Sequence, residues 1–248
     1  RGRAIDEGAR QILEALEEAG EEGYIVGGCV RDLAMGKVPH DWDITTSARP
    51  EEMLSIAALR GWKAVDGGGR RFGTVIIVLG GENYEVTTFR SEVYGSDAHR
   101  PSEVSFAKTL KEDLMRRDFT VNAMAMDHRG RLHDAFGGLS DIARKRLRTV
   151  GDAGERFSED ALRLFRACRF VAQLDFMADS SLAEGMESAF PRVSGLSLER
   201  VRQEMDRLLV SKHAARGMDL LVRSGLARCS CRIKEKGAYM EVPILPEL

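Results

Sequence analysis

Residues 24–46 read YIVGGCVRDLAMGKVPHDWDITT. Tyr24-Ile25-Val26 is a short β-favouring run that meets the pair Gly27-Gly28, and Val30 to Met35 has helical character that Gly36 ends. Trp42 to Thr45 predicts a second strand. A strand, a glycine pair, a helix start and a second strand follow in that order.

Asp41 and Asp43 stand two residues apart on the second predicted strand, where the period of two sends both carboxylates to one face. Paired hard oxygen donors suit Mg²⁺, which takes one or two carboxylates and completes its shell with water and phosphate oxygens. Glu85 becomes a third carboxylate if its own strand lies beside the first. A D-x-D pair is also common on solvated edges, so its weight comes from its neighbours. Gly27 and Gly28 let backbone N–H groups approach a triphosphate, and Arg31 supplies a positive fork nearby. The G-x-G-x-x-G pattern and the Walker lysine motif are both absent, which disfavours a dinucleotide or P-loop site.

Further along the chain, Ile5, Ala9, Ile12, Leu13 and Leu16 recur at helical spacing and predict an amphipathic first helix. Pro50 opens a helix ending near Gly61, Gly73 to Leu79 alternates as a strand, and Tyr84 to Phe89 returns as its hairpin partner. The polar stretch Arg90 to Ser102 has no apolar period and reads as a loop, and His128-Arg129-Gly130 reads as a short hairpin. Beyond about Thr149 no strand-like run is apparent, and 159–173, 181–189, 197–211 and 213–224 read as successive helices. The expected division is therefore a mixed head over 1–149 and a helical remainder over 150–248. The tail from Arg228 to Leu248 is basic, without a clear period, and reads as an element cut from its packing partner.

The 248 residues suffice for a sizeable core, and 43% hydrophobic against 31% charged residues is a globular balance that argues against a disordered chain. The longest strongly apolar run, Thr74 to Leu79, falls far short of the roughly 20 residues of a membrane span, so no membrane partner is expected. A formal charge of −2 means that a nucleic-acid partner would need a local basic surface. Four scattered cysteines, with no apolar leader behind Arg1-Gly2-Arg3, suggest a soluble protein of the reducing cytoplasm. The absence of an initiator Met suggests numbering that starts inside a longer chain.

The string around Gly27 to Thr46 closely resembles the catalytic motif of the class II tRNA nucleotidyltransferases, the CCA-adding enzymes of the DNA polymerase beta superfamily. The likeness continues through YEVTTFR at 84–90, RRDFTVNAMAMD at 116–127, HDAFGG at 133–138, SEDALRLFRACRF at 158–170 and ERVRQEM at 199–205. The resemblance implies an α+β fold, with an N-terminal nucleotidyltransferase head of mixed β-sheet flanked by helices, followed by an all-helical neck and the start of a body. It implies metal-binding roles for Asp41 and Asp43, with Glu85 shaping that catalytic cluster, and incoming-nucleotide contacts for Gly27, Gly28 and Arg31. Nucleotide and ribose contacts then fall to Arg117, Asp118 and Asn122. Base reading falls to Asp160 and Arg163, with Arg166 and Arg169 following on the same helix.

A carboxylate three residues before an arginine offers an acceptor beside a donor, which complements the amine and ring nitrogen of cytosine or adenine. Residues 163, 166 and 169 also share about 120° of a helix surface, so their guanidinium groups could line one wall of a pocket. The competing reading of these arginines is ion pairing with Glu159 and Asp160 on a solvated face. The implied reaction transfers C, A or both from CTP and ATP to the tRNA 3′ end, with Mg²⁺ and no template. Bacterial poly(A) polymerase is the nearest alternative, disfavoured because Gly69-Arg70-Arg71-Phe72 continues as GTVIIV. A catalytically idle RNA-binding fragment is the other. The loop at Ala98-His99-Arg100-Pro101 has a histidine where the family usually has arginine, and HDAFGG has Ala135 in place of proline. Family members continue into body and tail domains that grip tRNA, so weak, salt-sensitive tRNA binding is expected of this chain.

Overall fold

The computed structural model describes residues 4–67, 72–94 and 101–245. Two compact units emerge, one holding the chain to Glu92 and Val104–Ile142, the other Val93–Glu103 and the chain from Ala143 onward. The sequence reading had put this division some residues later, near Val150-Gly151.

In the first unit, α1 (Glu7–Glu18) is capped by Asp6, whose carboxylate accepts from the Ala9 amide, and it buries Ile12, Leu13 and Leu16 along one stripe. Next come β1 (Gly23–Val26), α2 (Gly28–Ala34), β2 (Ile44–Thr46), α3 (Pro50–Leu59), β3 (Lys63–Asp66), β4 (Thr74–Leu79) and β5 (Glu82–Thr88). β6 (Arg90–Tyr94) and β7 (Pro101–Phe106) form a separate two-stranded ladder. α4 (Leu110–Met115), β8 (Ala125–Met126), β9 (Leu132–His133) and α5 (Gly138–Ala143) complete the unit.

The main sheet has the order β3-β4-β5-β2-β1-β8-β9. Its described pairs are antiparallel apart from β2 and β5, which run parallel with Ile44 level with Val86 and Thr46 with Thr88. Ile25, Ile44, Val75, Ile77 and Val86 join Ile12, Leu13, Leu16 and Met53 in one buried cluster, so α1 and α3 sit on the face these strands share.

Three sequence expectations are corrected here. The second strand starts at Ile44 and not at Trp42, although the backbone of Asp43 is already fixed by the Val26 amide, which donates to its carbonyl at 3.0 Å. Residues 90–94 and 101–106 are strands and not loop, because a ladder held by backbone hydrogen bonds needs no apolar period. The segment Ala98-His99-Arg100 lies outside the described residues, as do Gly69, Arg70 and Arg71. Lys63–Asp66 is an additional edge strand that was masked by its mostly exposed side chains.

The second unit contains β10 (Arg146–Leu147), α6 (Ala153–Glu159), α7 (Leu162–Leu174), β11 (Met177–Ala178), α8 (Ser180–Met186) and a 3₁₀ stretch Glu187–Gly195. These lead into α9 (Leu198–Leu209), α10 (Ala214–Arg223), β12 (Ser230–Glu235) and β13 (Ala238–Pro243). α7 is its centre, burying Leu164, Phe165, Cys168, Val171 and Ala172, with α9 and α10 packed against it. The expectation of no strand beyond Thr149 fails at 230–243, an antiparallel hairpin whose turn residues Lys236 and Gly237 have φ of 48° and 87°. Paired positive φ is what a two-residue hairpin turn of this twist requires.

α10 approaches α7 closely at Gly217, where a Cβ would lie 2.5 Å from the Cys168 carbonyl oxygen and 2.9 Å from the Ala172 methyl. Gly217→Ala is therefore expected to destabilise this unit by about 1–3 kcal/mol, through separation of the two helices. Urea denaturation followed by circular dichroism checks this, and an unchanged midpoint contradicts the close packing.

Candidate active site

The parallel pairing of β2 with β5 sets the geometry. Ile44 is level with Val86, so Asp43 and Glu85 each stand immediately before a paired residue. Trp42 turns toward the buried cluster, while Asp41 and Asp43 on either side of it stay open to solvent, as does Glu85. The electrostatics agree with this convergence. The Asp43 carboxyl is held above the usual carboxylate range by the protein packed around it, then by the Glu85 charge, with Arg117 opposing and Asp41 adding to the rise. Uncompensated hard oxygens of this kind fit a divalent cation. Among the described residues, no three His, Cys, Asp or Glu side chains close into a preformed cage, so oxygens from substrate and water would have to complete the shell.

A cationic layer lies in the same unit. Gly27 has φ 78° and donates its amide to the Met124 carbonyl at 3.1 Å. A Cβ there would lie 3.2 Å from Arg117 Nη1, so glycine both adopts the left-handed backbone and admits the guanidinium. The Arg31 guanidinium curls over Gly28, donating from Nη1 to Asn122 Oδ1 at 2.7 Å and from Nε and Nη2 to Asp32 Oδ1 at 3.0 and 2.9 Å. Asn122 in turn donates to Asp118 Oδ1 at 3.3 Å, and that oxygen also accepts the Phe119 amide at 2.7 Å. Thus Arg31, Asn122 and Asp118, drawn from two distant sequence blocks, form one hydrogen-bonded chain, with Gly28 under Arg31 and Gly27 against Arg117.

Sequence reasoning missed Asp113, which is completely buried. Its carboxylate accepts from Thr45 Oγ1 at 3.2 Å and from the Arg90 amide at 3.1 Å, and pairs with Arg116 and Arg117 at 3.4 Å each. Burial alone would raise its pKa, but the two guanidinium groups and the Arg90 amide hold it below the usual range. Asp113 therefore fixes the guanidinium of Arg117 and ties it to β2, which directly follows Asp43. The legible signal was the spacing of Asp113 three and four residues before two arginines. Arg117 Nε is also buried with no hydrogen-bond acceptor, so this donor group is not fully saturated by the protein.

In the second unit, the residues expected to read the base are arranged differently from the helix-face picture. Asp160 is not on the arginine helix. It is an extended residue, φ −147°, between α6 and α7, and its carboxylate accepts the Leu162 amide at 3.1 Å. Arg163 is buried and donates to Glu159 Oε2 at 2.9 Å and to the Arg156 carbonyl at 3.1 Å. Arg169 is also buried; it pairs with Glu204, donates to Gln173 at 3.0 Å and stacks over Phe170. Arg166 stays partly accessible, 3.9 Å from Glu204 and 5.3 Å from the Phe170 ring centre. The three arginines therefore do not form one open wall: the helical period is right, but Glu159 and Glu204 turn two of them into structural partners.

Asp160 carries a pKa pushed up to about 6, by burial first, with Arg163, the Leu162 amide, Arg166 and Arg200 opposing the rise. A carboxyl raised from its ordinary 3.8 binds protons more tightly in the folded state. Its contribution to stability is therefore full below about pH 4 and is lost as pH rises through about 6. Asp160→Asn, which preserves an acceptor for the Leu162 amide, is expected to be more stable than the parent at pH 7–8, by about 1–3 kcal/mol. The two should converge near pH 4. Denaturant titrations across this range check it, and a difference independent of pH contradicts the assignment.

A family model described as the poly A polymerase head domain matches residues 23–148, and one described as the probable RNA and SrmB-binding site of polymerase A matches 175–229. A CCA-adding enzyme of Streptococcus pyogenes serotype M2 (strain MGAS10270) is 47% identical over 214 residues, which are 86% of this chain and 52% of the relative. The Bacillus stearothermophilus CCA-adding enzyme, solved in complex with CTP, superposes with a TM-score of 0.80 at 43% identity, covering 88% of this chain and 52% of that one. The Thermotoga maritima CCA-adding enzyme complexed with tRNA gives 0.75 at 26% identity, over 91% and 53%. The chain thus spans about half the length of the curated relatives it matches. Among its described residues, no helix is long and apolar enough to cross a membrane.

Proposed function

The chain belongs to the poly A polymerase head-domain family, and we propose that it carries the transferase chemistry of a CCA-adding tRNA nucleotidyltransferase. The 3′ hydroxyl oxygen of tRNA would attack the α-phosphorus of CTP or ATP. The bond to the bridging oxygen of the β-phosphate breaks, the hydroxyl proton leaves to solvent, and pyrophosphate departs. This reading is supported by the pairing of Ile44 with Val86, which brings Glu85 near enough to Asp43 for their charges to act on each other, and by Arg31 on Asn122 and Arg117 against Gly27 in the same unit. The similarity to CCA-adding enzymes favours it over poly(A) polymerase, and the intact carboxylates favour it over an idle RNA-binding fragment.

Asp41 and Asp43 would hold Mg²⁺, with Glu85 setting the charge of the corner. When bound, Mg²⁺ supplies Lewis-acid stabilisation of the charge that builds on the phosphoryl oxygens. Arg31 is held by Asp32 and Asn122, so it would present its charge to the triphosphate with little reorganisation. Arg117, fixed by Asp113, would do the same at the Gly27 backbone. Asp118 would orient Asn122, whose amide is placed for ribose or nucleotide contact. In the second unit, Asp160 would accept from the exocyclic amine shared by cytosine and adenine, and Arg163 would have to exchange its contacts with Glu159 and the Arg156 carbonyl for the ring nitrogen; the acceptor and donor order rejects guanine and uracil. Arg166 would supply an accessible cation, and Arg169 would hold the helix through Glu204. The four described cysteines are free, as a cytoplasmic enzyme would keep them.

The test uses three tRNA transcripts, ending before CCA, after the first C and after both C residues, each with CTP or ATP and with Mg²⁺. The parent chain should extend them, whereas Asp43→Ala should lose at least a thousandfold in kcat while keeping its circular dichroism spectrum. Asp160→Ala should admit UTP or GTP relative to CTP and ATP. Parent-like turnover in folded Asp43→Ala contradicts the metal role, and an unaltered preference in Asp160→Ala contradicts base reading.

A further inference from the structure

The C-terminal hairpin and the start of α9 enclose a cavity of about 990 Å³ within the second unit. Four cations line it, Arg200 and Arg202 from the helix and Arg232 and Lys234 from β12, against one carboxylate, Glu199. Arg202 lies 3.7 Å from Asp206 in an exposed helical pair of the kind that neutralises little. Glu241 stands across from Arg232 in the ladder, but the groove remains predominantly basic.

The hairpin is fixed to the helix. The Arg232 amide donates to the Leu196 carbonyl at 2.8 Å, Ser197 and Arg232 form a β-bridge, and Cys231 is fully buried. Register places Tyr239 directly across from Lys234, and the residue is 60% exposed. The Arg232 guanidinium carbon lies 4.5 Å from the ring centre and the Lys234 ammonium 5.8 Å away, so the ring is anchored and surrounded by positive charge.

We propose that this groove binds a strand of RNA, its phosphates held by Arg200, Arg202, Arg232 and Lys234 and one unstacked base laid on Tyr239. Cations that follow a groove, interleaved with an exposed aromatic ring, form the chemistry of single-strand binding without sequence preference. An acidic peptide would use the cations but would leave the aromatic platform idle. The choice of RNA rests on the reading of the chain as a tRNA-directed transferase. Arg200 and Arg202 lie within the matched RNA-binding segment 175–229, whereas Arg232, Lys234 and Tyr239 lie beyond it, so the new element of the proposal is the hairpin wall and its ring.

The experiment measures anisotropy of a fluorescein-labelled tRNA transcript ending before CCA, titrated with the 248-residue chain at 50, 100 and 200 mM salt. CTP binding by calorimetry serves as the fold control. Replacing Arg232→Glu and Lys234→Glu together should weaken RNA binding at least tenfold at 100 mM salt and lower the salt slope by about two. Tyr239→Ala should weaken it about tenfold with the slope unchanged. CTP binding should be unaffected in both. The proposal is overturned if the parent binds no RNA at 50 mM salt, or if both variants keep parental affinity. It is also overturned if only polyglutamate binding falls, which would assign the groove to an acidic protein. Extension assays separate the two readings. RNA bound through the groove but never extended defeats the transferase reading and leaves the groove; extension with unchanged KM for tRNA in both variants defeats the groove alone.

Discussion

The pairing of β2 with β5 is the constraint on which the rest of the site depends. In a sheet whose other described ladders are antiparallel, this parallel seam pairs Ile44 with Val86, so Asp43 and Glu85 each directly precede a paired residue and their charges act on each other. A slip of one residue would turn Ile44 and Val86 out of the core and the carboxylates into it. Burial of the apolar neighbours therefore holds in place a cluster of negative charge that, on its own, opposes assembly. The raised pKa of Asp43 expresses that opposition. The fold tolerates it because Ile44, Val86 and Ile25 are fully packed beside it, at roughly 1.5–3 kcal/mol for each large apolar side chain buried.

The cationic layer is organised by the opposite arrangement, a buried anion serving fixed cations. Asp113 accepts from a side chain of β2 and the first amide of β6, and the same carboxylate pairs with Arg116 and Arg117. Removing it would leave guanidinium groups, a hydroxyl and an amide without their partner, which explains why a fully buried carboxylate persists where an apolar residue would pack. The site is thus built in two steps: register places the acids, and Asp113 places Arg117 against Gly27.

Much of this was legible in the sequence for identifiable reasons. The alternation in Asp41-Trp42-Asp43 survives even though the strand begins at Ile44, because Trp42 is drawn toward the core and its neighbours must face away. Helix spacing gave α1, α9 and α10 nearly to the residue, since each carries a continuous apolar stripe. Periodicity failed where partners from elsewhere in the chain decide the outcome. Arg163 and Arg169 share a helix face with Arg166, yet Glu159 and Glu204 bury them, and Glu204 sits on another helix that no local spacing reveals. Asp160 left the helix because its carboxylate takes the Leu162 amide, a local contact that competes with continuing the turn. The 230–243 hairpin escaped notice because its turn, Lys236-Gly237, is flanked by charges that conceal the alternation.

The central claim is that strand register, and not a preformed cage, creates the cation-binding corner. It is tested most directly by measuring free Mn²⁺ through its electron paramagnetic resonance signal while the chain is titrated with the metal in the presence of CTP. Parent protein should remove Mn²⁺ from solution in excess of what CTP alone binds. Asp43→Asn should abolish that excess, and Glu85→Gln should weaken it by about tenfold or more, with both variants retaining the parental circular dichroism spectrum. Equal Mn²⁺ uptake by the parent and Asp43→Asn would contradict the account.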